Sequence, residues 1–212
     1  MGSKNCAELL KADKINPKEA EILFYTTNNI SPVFIGSYIL LQQLQLSGMF
    51  GISLLILYGP ALFLGIILFP KEHVKNGHEK SASRSQMNFK IIDAAIMNGF
   101  ETLIRIGGYI MLFSILISIV ENLPIPKPAA LLLENCLEIT NGINCLADTD
   151  LTIRIKYIVA MTSTAFGGFS GIAQTASMIR GTALSMKKYC LMKLLLSLCT
   201  LILSVFVSML LF

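Results

Sequence analysis

The side chains in this chain that could do chemistry sit where the chain is otherwise apolar. Between Gly167 and Gly181, flanked by Ile158-Val159-Ala160-Met161 and by the run from Tyr189 to Phe212, lie Ser170, Gln174, Thr175 and Ser177. Glycines break a helix there, and a helix restarting at Ser170-Gly171 presents free N–H groups to an anion. Ser170 and Gln174 are four apart and share a face, with Thr175 and Ser177 on the same two turns. A second polar interruption, Asn28-Asn29-Ile30-Ser31-Pro32, lies between apolar stretches. Unwound backbone at membrane depth is tolerated only where protein or a cavity satisfies it, so Asn28, Asn29 and Ser31 become candidate ligand contacts. Thr140 and Asn141, in Glu138-Ile139-Thr140-Asn141-Gly142, have the same chemistry. The cations that would meet an anionic ligand are Arg105, one helical turn after Glu101, with Lys4, between Ser3 and Asn5, and Arg180 as further candidates. Each feature also has a plainer reading. Small residues let membrane helices pack closely, Pro32 kinks a helix, and Glu138–Gly142 is a solvated loop. In the same way Glu101 and Arg105 neutralise each other, while Lys4 and Arg180 anchor helix ends at the lipid surface.

A catalytic reading is weaker. Gly168-Phe169-Ser170-Gly171 resembles the serine motif of rhomboid intramembrane proteases, but a serine nucleophile needs a base within reach. The only histidines, His73 and His78, lie in a hydrophilic stretch away from any apolar run. The expectation is a protein that is not an enzyme, with no catalytic residue, metal ligand or cofactor. The five cysteines (Cys6, Cys136, Cys145, Cys190, Cys199) show no CxxC spacing and read as small apolar residues. Cys136 and Cys145 flank a polar segment and could pair only outside the cytoplasm. The opening Met-Gly-Ser-Lys-Asn-Cys lacks the Ser or Thr at position 6 that a myristoylation signal carries.

The elements that must position these groups follow from composition. Of 212 residues, 54% are hydrophobic and 14% charged, against about 25% charged in soluble domains. Apolar runs of about 20 residues, the length of a bilayer core, alternate with short charged blocks. The net charge of +4 is therefore a matter of loops rather than a nucleic-acid signal. The first twenty residues carry Lys4, Lys11, Lys14 and Lys18 and no apolar core of a signal peptide. Asn16-Pro17-Lys18-Glu19 starts a helix that is interrupted at 28–32 and resumes from Val33 to Leu46. Gly48 marks a turn, and Phe50–Phe69 is a span ended by Pro70. Lys71–Met87 is a basic hydrophilic loop, cytoplasmic by the positive-inside rule.

Asn88–Leu103 is amphipathic, and Ile104–Val120 is a third span. Glu121–Asp150, with five acids and one lysine, lies outside, and its short apolar run Ala129–Leu133 is re-entrant or interfacial. Leu151–Phe166 is a shorter span, and after the basic block Arg180–Lys193 a last span ends at Phe212, outside. The fold class is all-α: a polytopic membrane protein with about five transmembrane helices plus broken, re-entrant hairpin helices. Its partners are the lipid bilayer and a small anionic or nucleoside-like solute, with no nucleic acid and with homo-oligomers open.

Sliding the chain by 169 residues superposes Gly2 on Gly171, Ala7 on Ala176 and Lys18 on Lys187, with Asn5 on Gln174 and Lys11 on Arg180. This suggests an internal repeat, and duplicated units with broken helices mark secondary transporters. The division that follows is a first repeat unit at 1–70 broken at 28–32, a cytoplasmic loop at 71–87 and a second unit at 88–212.

Four stretches carry a family resemblance: Met1-Gly2-Ser3-Lys4 leading to Glu19-Ala20-Glu21, then Asn28 to Phe34, then Thr102-Leu103 through Gly107-Gly108 to Leu112-Phe113-Ser114, and Phe166 to Ser177. The chain resembles the nucleoside-recognition "Gate" membrane proteins, and among them the YlbJ-type sporulation integral membrane proteins. The resemblance implies a multi-pass protein of the bacterial cell membrane. It further implies movement of dipicolinic acid across the outer membrane of the forespore. Family members carry membrane segments ahead of a Gly-Tyr-Pro-x-Gly-Ser/Ala-Lys motif. By that pattern the chain begins at the x, with Met1 an internal methionine and Ser3 and Lys4 the rest of the motif. Two alternatives stay open: a non-transporting membrane protein that organises or regulates an envelope complex, and a nucleoside transporter.

Overall fold

A computed structural model describes residues 2–68 and 89–212. The expected loop at 71–87, with His73 and His78, lies outside the described residues. Every described element is helical. Helices α1 (Gly2–Lys11) and α2 (Pro17–Thr27) form a hairpin. Its second arm starts as the sequence predicts: Glu19 N–H donates to Asn16 Oδ1 at 2.9 Å, and Asn16 N–H donates back to Glu19 Oε2 at 3.0 Å. Asn16→Ala is expected to remove about 1 kcal/mol of stability, read as a lower thermal midpoint in detergent. The hairpin closes tightly, because a Cβ on Gly2 would stand 2.6 Å from the Thr27 carbonyl oxygen.

After the interruption at 28–32 the chain resumes as a wide π-type helix, Phe34–Gln43, and a single 3₁₀ turn, Ser47–Met49, leads into α3 (Phe50–Leu68). Helix α4 (Phe89–Glu121) is one continuous helix of 33 residues, where the sequence suggests an amphipathic segment followed by a separate span. Nothing between Leu103 and Ile104 ends a helix, and Gly107-Gly108 is accommodated within it. At 1.5 Å per residue α4 is about 50 Å long, more than a bilayer core requires.

The acidic segment is a helical hairpin: α5 (Lys127–Leu137) and α6 (Ile139–Ala147) fold back on each other through Glu138, which is extended. Helix α7 (Ile153–Phe166) then breaks at two consecutive left-handed glycines, Gly167 at φ 89° and Gly168 at φ 65°. These redirect the chain into α8 (Gly168–Met178), so that helix starts two residues before the Ser170-Gly171 start expected from sequence. A turn through Gly181 leads to α9 (Met186–Leu211).

Among the described residues three helices are long and apolar enough to cross a membrane: Ser47–Leu68, Phe89–Glu121 and Met186–Leu211. Of the other two expected crossings, the one from α2 into the π-type helix is interrupted at 28–32, and the one at Leu151–Phe166 is the 14-residue α7, so three of the expected five are continuous long helices among the described residues. The outward faces of these three long helices carry large exposed apolar side chains such as Ile66, Ile104 and Phe206, as lipid contact demands. Two cores hold the bundle. One joins the π-type helix, α3, α6 and α7 around Ile39, Ile143 and Tyr157. The other joins the α1–α2 hairpin to the start of α9, where the rings of Phe24 and Tyr189 stack at 4.6 Å. The second core brings the α1–α2 hairpin against α8 and α9. In this arrangement Lys11 donates to the Arg180 carbonyl at 3.1 Å, a pair that the 169-residue offset superposes.

Candidate anion site at two helix breaks

The break between α2 and the π-type helix and the break between α7 and α8 meet at a cavity of about 150 Å³. Asn28, Asn29, Gln174, Thr175, Tyr189 and Lys193 supply its polar wall, and Gly167 and Gly171 its backbone wall. Lys193 is 3% exposed and sits on α9. Its ammonium donates to Asn29 Oδ1 at 3.0 Å and lies 5.8 Å from the centre of the Tyr189 ring. Asn29 is held with that oxygen forward, because its Nδ2 donates to the Thr26 carbonyl at 2.7 Å. The ion pairs among the described residues are Lys4–Glu8, Arg105–Glu101 and Lys188–Glu21, and none includes Lys193. A buried ammonium facing only neutral dipoles is costly in an apolar medium, and an anion in the cavity relieves that cost.

Asn28 sits beside this cavity at the centre of a network. Its Nδ2 donates to Thr175 Oγ1 at 2.9 Å and to the Tyr189 hydroxyl at 2.7 Å, and its Oδ1 accepts from the Ser3 N–H at 3.2 Å. The chain beyond Asn29 is fixed by Tyr58, whose hydroxyl donates to the Ile30 carbonyl. On the other side, α8 begins at Gly168 after the left-handed Gly167, with no side chain capping its first turn, and Gly167 and Gly171 line the same cavity as the lysine.

The residues singled out in the sequence divide into four groups. Asn28, Asn29, Gln174 and Thr175 line the cavity. Ser170 is buried and its hydroxyl accepts from Gln174 Nε2 at 3.1 Å, which orients the amide rather than contacting the cavity. Ser3 and Lys4 line a narrow space beneath the cavity, and Lys4, Arg105 and Ser177 line a larger pocket between α1, α4 and α8. Lys4 donates to Asn98 Oδ1 at 2.7 Å and to the Thr102 hydroxyl.

Asn5, Ser31, Thr140 and Asn141 lie elsewhere. Asn5 faces away with Leu9 and Lys14. Ser31 Oγ accepts from the Phe34 N–H at 3.2 Å, at the entry to the π-type helix. The Thr140 carbonyl accepts from the Tyr38 hydroxyl at 2.8 Å, and Asn141 Nδ2 donates to Ser114 Oγ at 2.6 Å. These last two contacts tie the α5–α6 hairpin to its neighbours. Cys136 and Cys145, on the two arms of that hairpin, are free thiols.

Sequence reasoning missed Lys193 and Tyr189. Lys193 reads as the last member of a basic block at a helix end. The available signal was its isolation, with Leu191-Met192 before it and Leu194-Leu195-Leu196 after it. Near the mouth of α9, Lys188 donates to Glu21 Oε1 at 2.7 Å, and this contact holds the Glu21 carboxyl below the usual carboxylate range.

No family model matches the chain, and no solved structure matches it. It is 27% identical to the sporulation integral membrane protein YlbJ of Bacillus subtilis (strain 168), over an alignment of 237 positions that covers 92% of this chain and 57% of the relative. The chain therefore spans little more than half the length of that relative. Similarity at this level over nearly the whole of this chain supports a YlbJ-type assignment.

Proposed function

We propose that this chain carries a small organic anion across a membrane of the sporulating cell, and that it is a solute carrier rather than an enzyme. The observation that carries the reading is Lys193: a cation buried in a cavity between two broken helices, hydrogen-bonded to a neutral amide and paired with no carboxylate among the described residues. Broken helices around a buried polar cavity are the arrangement by which secondary transporters hold solutes at membrane depth. The resemblance to YlbJ-type proteins points to dipicolinic acid as the solute and to the outer forespore membrane as the place. A planar pyridine dicarboxylate suits a wall of ammonium, amide, hydroxyl and helix N–H groups beside the apolar Ile30, Phe166 and Ile172. A neutral nucleoside would use the amides and hydroxyls and leave the ammonium uncompensated, so the lysine favours the anion.

Proteoliposomes containing the chain are expected to accumulate radiolabelled dipicolinate faster than empty vesicles, saturably. Uptake equal to that of empty vesicles, with insertion verified by protease protection, rejects the proposal. Unchanged sporulation function in Asn29→Ala and Gln174→Ala strains would instead favour a membrane protein that organises an envelope complex.

A further inference from the structure

We propose that the pocket between α1, α4 and α8 is a second, outer anion-binding site, a capture station for small dicarboxylates that feeds the Lys193 cavity. The idea rests on reading that cavity as an anion site. The outer pocket holds about 500 Å³, and its charged lining is Lys4, Lys11, Arg105 and Arg180 against Glu8 and Glu101, an excess of two positive charges. The carboxylates are already engaged within it, Glu101 by Arg105 and Glu8 by Lys4. Lys11 and Arg180 have no ion-pair partner among the described residues, and they stand together because the Lys11 ammonium donates to the Arg180 carbonyl at 3.1 Å.

The station is connected to the inner cavity. A narrow space of about 50 Å³ shares Lys4, Thr102 and Met178 with the outer pocket and Asn28, Gln174 and Thr175 with the inner one. The three volumes therefore adjoin in series, with Lys4 at the first junction and the Asn28–Thr175–Tyr189 hydrogen bonds at the second. A carboxylate leaving Lys11 and Arg180 meets Lys4 next, then the Asn28 amide, then Lys193. The outer charges lie in solvent reach, so their pull on an anion weakens as salt shortens the screening length to about 10 Å at 0.1 M. The inner lysine is buried and screened far less.

The test is equilibrium binding of radiolabelled pyridine-2,6-dicarboxylate to the full chain in phosphatidylcholine nanodiscs, at low salt and with 0.5 M salt added. Two classes of site are expected, one lost in high salt and one retained. Lys11→Gln with Arg180→Gln is expected to weaken the salt-sensitive class about tenfold or more and keep the other. Lys11→Arg with Arg180→Lys keeps the charges and should keep both classes, which separates charge from a helix-packing role. Retention of the salt-sensitive class in the Gln pair overturns the outer station. So does a single class in the wild-type chain that Lys193→Met abolishes, and that result leaves the inner site standing. A salt-sensitive class untouched by Lys193→Met, with no second class, upholds the outer station and rejects the inner cavity.

Discussion

Replacing Lys193 by methionine is expected to reduce dipicolinate affinity and uptake by more than about a hundredfold while leaving the protein as stable as before or more so. Methionine is one atom shorter, keeps the unbranched apolar stem of the side chain and removes its charge. Lys193 is 3% exposed, so an anion bound beside it interacts through a medium that screens poorly. Breaking a buried ion pair by removing one partner costs about 3–5 kcal/mol, which is about two to three and a half orders of magnitude in a binding constant. The stability expectation runs the other way. In the empty protein the ammonium has one neutral acceptor, Asn29 Oδ1 at 3.0 Å, and no carboxylate among the described residues, so its desolvation is poorly compensated. Methionine removes that cost and leaves one amide oxygen short of a donor. A residue kept for function at the expense of stability gives this opposed pair of effects, and a residue kept for packing does not. Binding isotherms and thermal midpoints on the same preparation decide it. Near wild-type affinity in Lys193→Met would sink the anion-site reading, and Lys193→Arg, which keeps the charge on a longer fork, should retain part of the binding.

Local signals in the sequence were enough to locate both helix breaks, and tertiary geometry was needed to complete the site. Gly167-Gly168 could be read as a break because only glycine adopts two consecutive left-handed conformations cheaply, and Asn16-Pro17-Lys18-Glu19 could be read as a cap because its partners are three residues apart. Asn28, Asn29, Gln174 and Thr175 were recognisable as neutral polar groups in apolar surroundings, and they do face one cavity. Thr140 and Asn141 have the same chemistry but different partners, Tyr38 and Ser114, which no local pattern specifies. Lys193 was invisible as a ligand group for a related reason. A lysine eight residues into α9 either snorkels toward the surface or turns inward, and the choice is made by Asn29, 164 positions earlier in the chain. The single long α4 was missed because a change from amphipathic to uniformly apolar sequence is not a helix stop; it reflects what surrounds the helix.

The α5–α6 hairpin supplies the second large expected effect. A Cβ on Gly142 of α6 would stand 2.5 Å from the Asn135 Cα and 2.8 Å from its N on α5, distances that no side-chain rearrangement relieves. Gly142→Ala must therefore push the two arms apart, and overpacking of this kind costs about 1–3 kcal/mol. It also stretches the buried bond from Asn135 Nδ2 to the Gly142 carbonyl, 3.0 Å long, adding about 1–3 kcal/mol for one amide N–H left without its acceptor while the other still donates to the Leu131 carbonyl. The displacement reaches the candidate site because the hairpin tip is the floor of the α7–α8 break. The carbonyls of Cys136 and Leu137 and the Ile139 side chain lie about 3.4–3.5 Å from where a Gly168 Cβ would be. A thermal midpoint lowered by several degrees and weakened dipicolinate binding are expected together.

Thiol labelling reports the movement directly. Burial, with Glu134 close by, pushes the Cys145 thiol up to about 11, so it should label slowly at neutral pH in the wild-type chain and faster once the arms separate. Gly99→Ala is the matching control, since a Cβ there meets nothing within 4 Å and alanine suits a helix interior. If Gly142→Ala matches Gly99→Ala in midpoint, labelling and binding, the hairpin is not packed through this glycine and does not support the helix break.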